Sequence, residues 1–253
     1  MISSWRRCAG HPTLGQDDLP AQRRTGGRPP RQGWILGGVA GCCDPHGYED
    51  IFDPRFARRQ AQRYRRRGLD ATARRIVGFL SSRGIEGATV LEIGGGVGQI
   101  QLELLRRGAA HATNLELVDT YDAAARELAA DAGLSGRIRR RLLDIGVNPD
   151  DAEPADVVIL HRVVCCYPDY ARLLTAAADH ARRLLVFSHL PRNPVSRAAV
   201  GAQNAVCRLT GRSFRAFAHP PAAMLEVLSR RGMQPRYLHR GPVWHVAGVE
   251  RES

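Results

Sequence analysis

Four glycines within five residues, Gly94, Gly95, Gly96 and Gly98, follow directly on the apolar run Thr89 to Ile93. Such a run reads as a buried strand, and the glycines after it let the backbone turn sharply and come close to a ligand at the N-terminus of the next helix. The spacing narrows the ligand. A dinucleotide fingerprint needs GxGxxG, and counted from Gly94 and Gly96 its third glycine falls on Gln99, which disfavours a nucleotide-cofactor oxidoreductase. The pattern present is ExGxGxG, with Glu92 as its acid.

Around this turn the chain alternates short apolar runs with helical stretches, the signature of a parallel, doubly wound sheet. Strands are expected at Thr89 to Ile93, Thr113 to Leu117, Ile138 to Leu143, Asp156 to Leu160, Arg183 to Ser188, Arg236 to His239 and Val243 to Val249. Helices are expected near Gly98 to Arg107, Asp122 to Ala132, Tyr170 to Arg182 and Pro221 to Arg231. The last two strands have no helix between them and fit an antiparallel hairpin turning at Arg240-Gly241-Pro242. Two further acids fall at strand ends. Glu116 closes the second strand, 18 residues beyond Gly98, and Asp144-Ile145 follows the third.

Acid, glycine turn, second acid and Asp-Ile in this order resemble the cofactor landmarks of class I S-adenosylmethionine-dependent methyltransferases, over about residues 85 to 250. The resemblance implies an α/β, Rossmann-like, doubly wound, mostly parallel seven-stranded sheet with an antiparallel terminal hairpin and N-terminal lid helices. It implies S-adenosyl-L-methionine as cofactor. Glu92, Gly94, Gly96 and Gly98 would cradle its methionine part, Glu116 would accept the ribose hydroxyls, and Asp144 and Ile145 would meet the adenine. His161, at the end of the fourth strand, is a further expected cofactor contact.

In this fold the acceptor binds beyond the carboxyl ends of the fourth and fifth strands. The fourth runs into His161-Arg162-Val163-Val164-Cys165-Cys166-Tyr167-Pro168, which resembles the family's His-His-Leu-Pro type segment with cysteines in place of the histidines. His161 is the candidate general base and Tyr167 a candidate to orient an acceptor oxygen. Gly47-Tyr48-Glu49-Asp50-Ile51-Phe52, followed by an arginine-rich helix, resembles distantly the N-terminal part of magnesium-protoporphyrin O-methyltransferases. Those enzymes also carry a Tyr-Pro pair after the fourth strand, with a histidine where Cys166 stands. Tyr48, Cys166 and Tyr167 are therefore expected at the substrate, together with His189 and Arg192 after the fifth strand.

The net charge of +12 raises nucleic acid as a partner. All 37 basic residues are arginine, however, which speaks of codon usage rather than a selected binding face. No Asn-Pro-Pro-Tyr-like tetrapeptide follows the fourth strand. The expected partner is a small-molecule acceptor, methylated on oxygen, nitrogen or carbon. A nucleic-acid-modifying methyltransferase or basic nucleic-acid-binding protein, and a catalytically silent cofactor-binding homologue, are the rival readings. No apolar run reaches the eighteen or so residues of a membrane span, and Trp34 to Val39 is too short for a signal-peptide core, so neither a membrane partner nor export is expected and the location is cytoplasmic. Cys42-Cys43 and Cys165-Cys166 lack the CxxC spacing of zinc sites, and no metal is expected.

Residues 1–38, rich in Arg, Gly, Pro and Gln, are expected to form a disordered basic tail, with the natural start near Val39. Residues 39–84 would form the lid helices and 85–253 the methyltransferase domain, with 194–218 as a helical cap.

Overall fold

A computed structural model describes residues 47–252. The expected tail and Cys42-Cys43 lie outside the described residues.

Two helices precede the sheet. Helix α1 (Pro54–Arg67) starts where the Asp53 carboxylate accepts the Phe56 N–H at 2.6 Å and Pro54 takes the first turn. It ends at Gly68, whose φ of +65° few other residues adopt. Helix α2 (Ala71–Ser82) begins the same way, with Asp70 accepting the N–H groups of Thr72 and Ala73.

The seven strands are β1 (Thr89–Ile93), β2 (His111–Glu116), β3 (Ile138–Leu142), β4 (Ala155–Leu160), β5 (Ala181–His189), β6 (Met233–Arg240) and β7 (His245–Arg251). They lie in the order β3-β2-β1-β4-β5-β7-β6. All pairs from β3 to β5 are parallel, while β7 runs antiparallel to both neighbours. The fold is therefore the Rossmann-like, mostly parallel sheet with an antiparallel terminal hairpin. Helices α3 (Gln99–Arg106), α4 (Asp122–Asp131), α5 (Tyr170–His180), α6 (Pro194–Leu209) and α7 (Pro221–Arg230) supply the crossovers and the insertion.

Strand alternation sends residues to two cores. Val90, Ile159 and Val186 join α1, α2 and α3 on one face. Leu91, Val158, Leu185 and Phe187 join α5 and α7 on the other. The strand order reverses between β1, whose next strand lies to one side, and β4, whose next strand lies to the other. A crevice opens at the carboxyl ends of strands at such a reversal, which is where ligands bind in open α/β sheets.

Several boundaries move. β6 is twice as long as expected because it pairs along all of β7 at the sheet edge, where Pro235 is tolerated with a register shift beside it. The cap is helical only to Leu209. Gly211, with φ +71°, turns the chain back, and the stretch up to Pro220 runs without helix.

Candidate active site

A cavity of about 1030 Å³, counting its open mouth, occupies the crevice. That is the size of a cofactor plus part of a small acceptor. Its floor is the glycine turn. Gly94 and Gly96 both sit at positive φ, +64° and +60°, where a side chain is strained. A Cβ on Gly94 would also lie 2.6 Å from Val163 Cγ2, and one on Gly96 would lie 3.1 Å from Gln60 Oε1. Gly98, at φ +78°, caps α3 and does not line the cavity; it shapes the turn.

The turn is tied to the next two strands. Gly94 N–H donates to Leu115 O at 2.7 Å. Gly96 N–H donates to Glu116 Oε1 at 2.5 Å, and Gly96 O accepts from Arg140 Nη1 at 3.0 Å. Arg140 is itself held by Asp122 at 3.1 Å. Glu92 accepts the Gln101 N–H at 3.3 Å. Burial pushes both Glu92 and Glu116 up to about 8, with the Arg140 guanidinium opposing the rise at Glu116. The sign of the consequence is definite. A carboxyl whose folded pKa is raised stabilises the fold while protonated and ceases to as pH climbs through the raised value. His161, His189, His219 and His245 are all shifted down, mainly by burial, and work the other way below about 6.5. Between pH 6.5 and 8 the two acids act alone among these groups, and stability should fall by up to about 1.4 kcal/mol per pH unit for each. Urea denaturation at pH 6.5 and 8 of wild type and of Glu92→Gln/Glu116→Gln checks this; equal slopes in the two proteins contradict it.

Asp144 and Ile145 line the far end of the cavity. Tyr167 Oη donates to Asp144 Oδ1 at 2.9 Å, and burial followed by the Asp144 charge drives the phenol pKa upward. Tyr167 therefore keeps its proton at neutral pH and fixes Asp144.

The roof is aromatic. Phe52 makes edge contacts with Phe56 and Phe214, both at 5.8 Å between centroids, and Tyr48 meets Phe214 at 6.2 Å. Tyr48 Oη donates to Cys166 O at 2.9 Å, and Phe217 N–H donates to Cys165 O at 2.7 Å. The turn after β4 is thus clamped from both lid segments. Phe214, nearly fully buried, is the keystone. Its replacement by alanine should cost roughly 3–5 kcal/mol; a loss below 1 kcal/mol in denaturant titration would mean the roof is not a packed unit.

Sequence reasoning brings together Glu92, Gly94, Gly96, Glu116, Asp144, Ile145, His161, Tyr48, Cys166 and Tyr167, and all of them line this cavity. His189 and Arg192 do not. β5 continues through His189, which pairs with His245 of β7, so its ring lies between Phe187 and His245 rather than in a loop. Arg192 is exposed. The intervening residue, Ser188, points to the opposite face and meets His161 Nδ1 at 3.0 Å. Arg140, Gln60, Tyr121 and Arg162 escaped the sequence reading. The alternation in Ile138-Arg139-Arg140-Arg141-Leu142 gave the one signal for Arg140, a charged residue on an inward position of a strand. Among the described residues no group of three or more His, Cys, Asp or Glu side chains gathers, and no helix is long and apolar enough to cross a membrane.

A family model described as "Methyltransferase domain" matches residues 61–235. No curated protein matches in sequence. Among solved structures the chain is similar to magnesium protoporphyrin IX methyltransferase from Synechocystis PCC 6803 with bound SAH, with a TM-score of 0.61 and 18% identity over 81% of this chain and 99% of that one. It is also similar to an O-methyltransferase family protein from Burkholderia thailandensis, TM-score 0.56 and 20% identity over 72% and 57% of the two chains. A third is an O-methyltransferase family 2 protein from Planctomyces limnophilus in complex with apigenin, TM-score 0.51 and 18% identity over 74% and 63%.

Proposed function

The chain belongs to the methyltransferase-domain family, whose cofactor is S-adenosylmethionine, and on that premise we propose that it methylates a small-molecule acceptor inside the roofed cavity. One observation carries the reading: the glycine turn is held open against Glu116 and Arg140 on the cavity floor, while the roof is built of aromatic rings.

The residues present fit the cofactor. Glycines occupy the positions where a Cβ would crowd the floor, and Gln60 Oε1 is buried at the cavity wall without a partner among the described residues. Glu92, Gly94 and Gly96 would hold the methionine part, Glu116 the ribose, and Asp144 and Ile145 the adenine. When bound, the cofactor supplies a sulfonium methyl for in-line displacement.

The chain's own part is to position the acceptor and remove water. Phe52 and Phe56, with Phe214 packed behind Phe52, offer an apolar wall to a flat or apolar acceptor, in keeping with the apigenin held by the Planctomyces limnophilus neighbour. Tyr48 and Cys166, joined by their hydrogen bond, close the side next to β4. Tyr167 acts through Asp144, which it orients.

Thermal-shift titration tests the cofactor, since a ligand that binds only the native state raises the melting temperature. S-adenosylhomocysteine should stabilise the protein and NAD should not. Transfer of labelled methyl to a panel of phenols and carboxylic acids, with RNA as a separate arm, tests the acceptor; label in RNA alone would reject the small-molecule reading.

A further inference from the structure

The end of β4 holds two buried donors left unused among the described residues. His161 Nδ1 lies 3.0 Å from Ser188 Oγ, which already accepts the Arg162 N–H at 2.8 Å. Ser188 is fully buried on β5, and among the described residues Nδ1 is the one acceptor within reach of its hydroxyl proton. The hydroxyl therefore donates to Nδ1, and the ring proton sits on Nε2. Burial, helped by the Arg162 charge, pushes the imidazole down to about 4, so the ring stays neutral in this tautomer at neutral pH. Nε2 is closed to solvent and has no partner among the described residues, yet His161 lines the cavity.

The neighbouring residue repeats the pattern independently. Arg162 is the one non-glycine among the described residues with a positive φ, 62°. Its Nη2 donates to Asp70 Oδ2 at 2.8 Å, and its guanidinium lies over the Trp244 ring, 5.3 Å from the centroid. Its Nε is buried without an acceptor among the described residues, and Arg162 lines the same cavity. Left-handed backbone at a residue with a side chain and unsatisfied buried N–H groups both cost free energy, and they persist at sites where a ligand relieves them.

We infer that His161 and Arg162 form a pair of N–H donors that holds a carboxylate at the end of β4. Asp70 already engages the far end of the guanidinium, and the two N–H groups left over call for a further group rich in lone pairs, which a planar two-oxygen anion meets. A dianion would meet Glu92 and Glu116 in the same cavity. His161 is then a fixed donor in place of the general base expected from sequence. The inference rests on the methyltransferase reading for the two sources of such a group, the amino-acid carboxylate of the cofactor and a carboxylate on the acceptor.

Calorimetry with S-adenosylhomocysteine and with 5′-methylthioadenosine, which lacks the amino-acid part, separates the sources. It is run on wild type, His161→Leu, His161→Gln and Arg162→Met. If the pair holds the cofactor, His161→Leu loses about tenfold in affinity for S-adenosylhomocysteine and nothing for 5′-methylthioadenosine, and His161→Gln, which keeps an N–H donor, restores part of it. If it holds the acceptor, both nucleosides bind His161→Leu as they bind wild type, and ligand-observed NMR shows the preference of the wild type for benzoate over benzamide lost in His161→Leu. The pair is refuted if neither preference changes in His161→Leu and Arg162→Met; should Arg162→Met not fold, His161→Leu decides. A wild type that binds neither nucleoside overturns the methyltransferase reading, and the benzoate and benzamide comparison still judges the pair.

Discussion

Glu116→Gln should bind S-adenosylhomocysteine roughly 30- to 150-fold more weakly than wild type, about 2–3 kcal/mol, the worth of a pair of hydrogen bonds to a buried charged acceptor. The substitution is chosen because it leaves the turn in place. Glutamine Oε1 can still accept the Gly96 N–H that Glu116 holds at 2.5 Å, but its other end is a donor where the ribose hydroxyls need an acceptor. Stability and affinity should move in opposite directions. The wild-type carboxyl is pushed up to about 8 by burial, so removing it spares the protein a buried ionisation, and the variant should melt no lower than wild type at pH 8. Binding draws the carboxyl toward its ionised form and releases a proton. Wild-type affinity should therefore rise with pH between 6.5 and 8, and that rise should flatten in Glu116→Gln. Isothermal titration in two buffers of different ionisation enthalpy reads both effects. Unchanged affinity in Glu116→Gln would mean that the carboxyl does not face the ligand.

Gly94→Ala should reduce methyl transfer by about two orders of magnitude, because a displacement near 1 Å at a positioning loop has that effect on rate. At φ +64° a residue with a side chain bears about 1–2 kcal/mol of strain. The new Cβ also falls 2.6 Å from Val163 Cγ2, on the turn that leads from β4 to Cys166. Val163 is not a long flexible side chain, so the backbone must give. The Gly94 N–H to Leu115 O bond of 2.7 Å fixes one end of the loop, and the movement falls on Gly95 and Gly96. Stability should drop as well, by roughly 2–4 kcal/mol from strain and overpacking together. Gly84→Ala is the comparison, since its φ of +70° carries similar strain while open space surrounds it. It should lose stability and keep its rate. Equal rates in Gly94→Ala and wild type would show that the turn does not bear on the reaction.

The parts of this fold that could be read in the sequence are those where one face or one run is buried. β1 appears where its apolar run places it, and β4 begins one residue early, at Ala155. The glycine turn, Glu116 and Asp144 were legible because a ligand-facing backbone needs glycine and a strand end presents an acid. β6 was legible only in its middle, since Gln234, Pro235 and Arg236 on an exposed edge carry no alternation. The path from Gly211 to Ala218 was read as the end of the helical cap because the insertion alternates Ala, Val and Arg along its length; its conformation comes instead from packing Phe214 on Phe52 and from Asn204 bonding both polar groups of the Ala216 backbone. His189 was misplaced for want of one residue of strand. Arg140 and Ser188 act through partners distant in the chain, and Gln60 reaches the cavity from α1 far from Gly96 in sequence, none of which spacing encodes. The arginine-only composition hid Arg162 among many others, and only its φ and its orphaned Nε set it apart.

The central claim is that Gly94 and Gly96 form the floor, and Glu116 the ribose anchor, of an S-adenosylmethionine site beneath the Tyr48, Phe52 and Phe214 roof. A crystal structure of the protein grown with S-adenosylhomocysteine tests it most directly. The expected result is the ligand lying along the glycine turn with both ribose hydroxyls on the Glu116 carboxylate and the adenine beside Asp144 and Ile145. Density for the ligand elsewhere, or a Glu116 turned away from it, would contradict the claim.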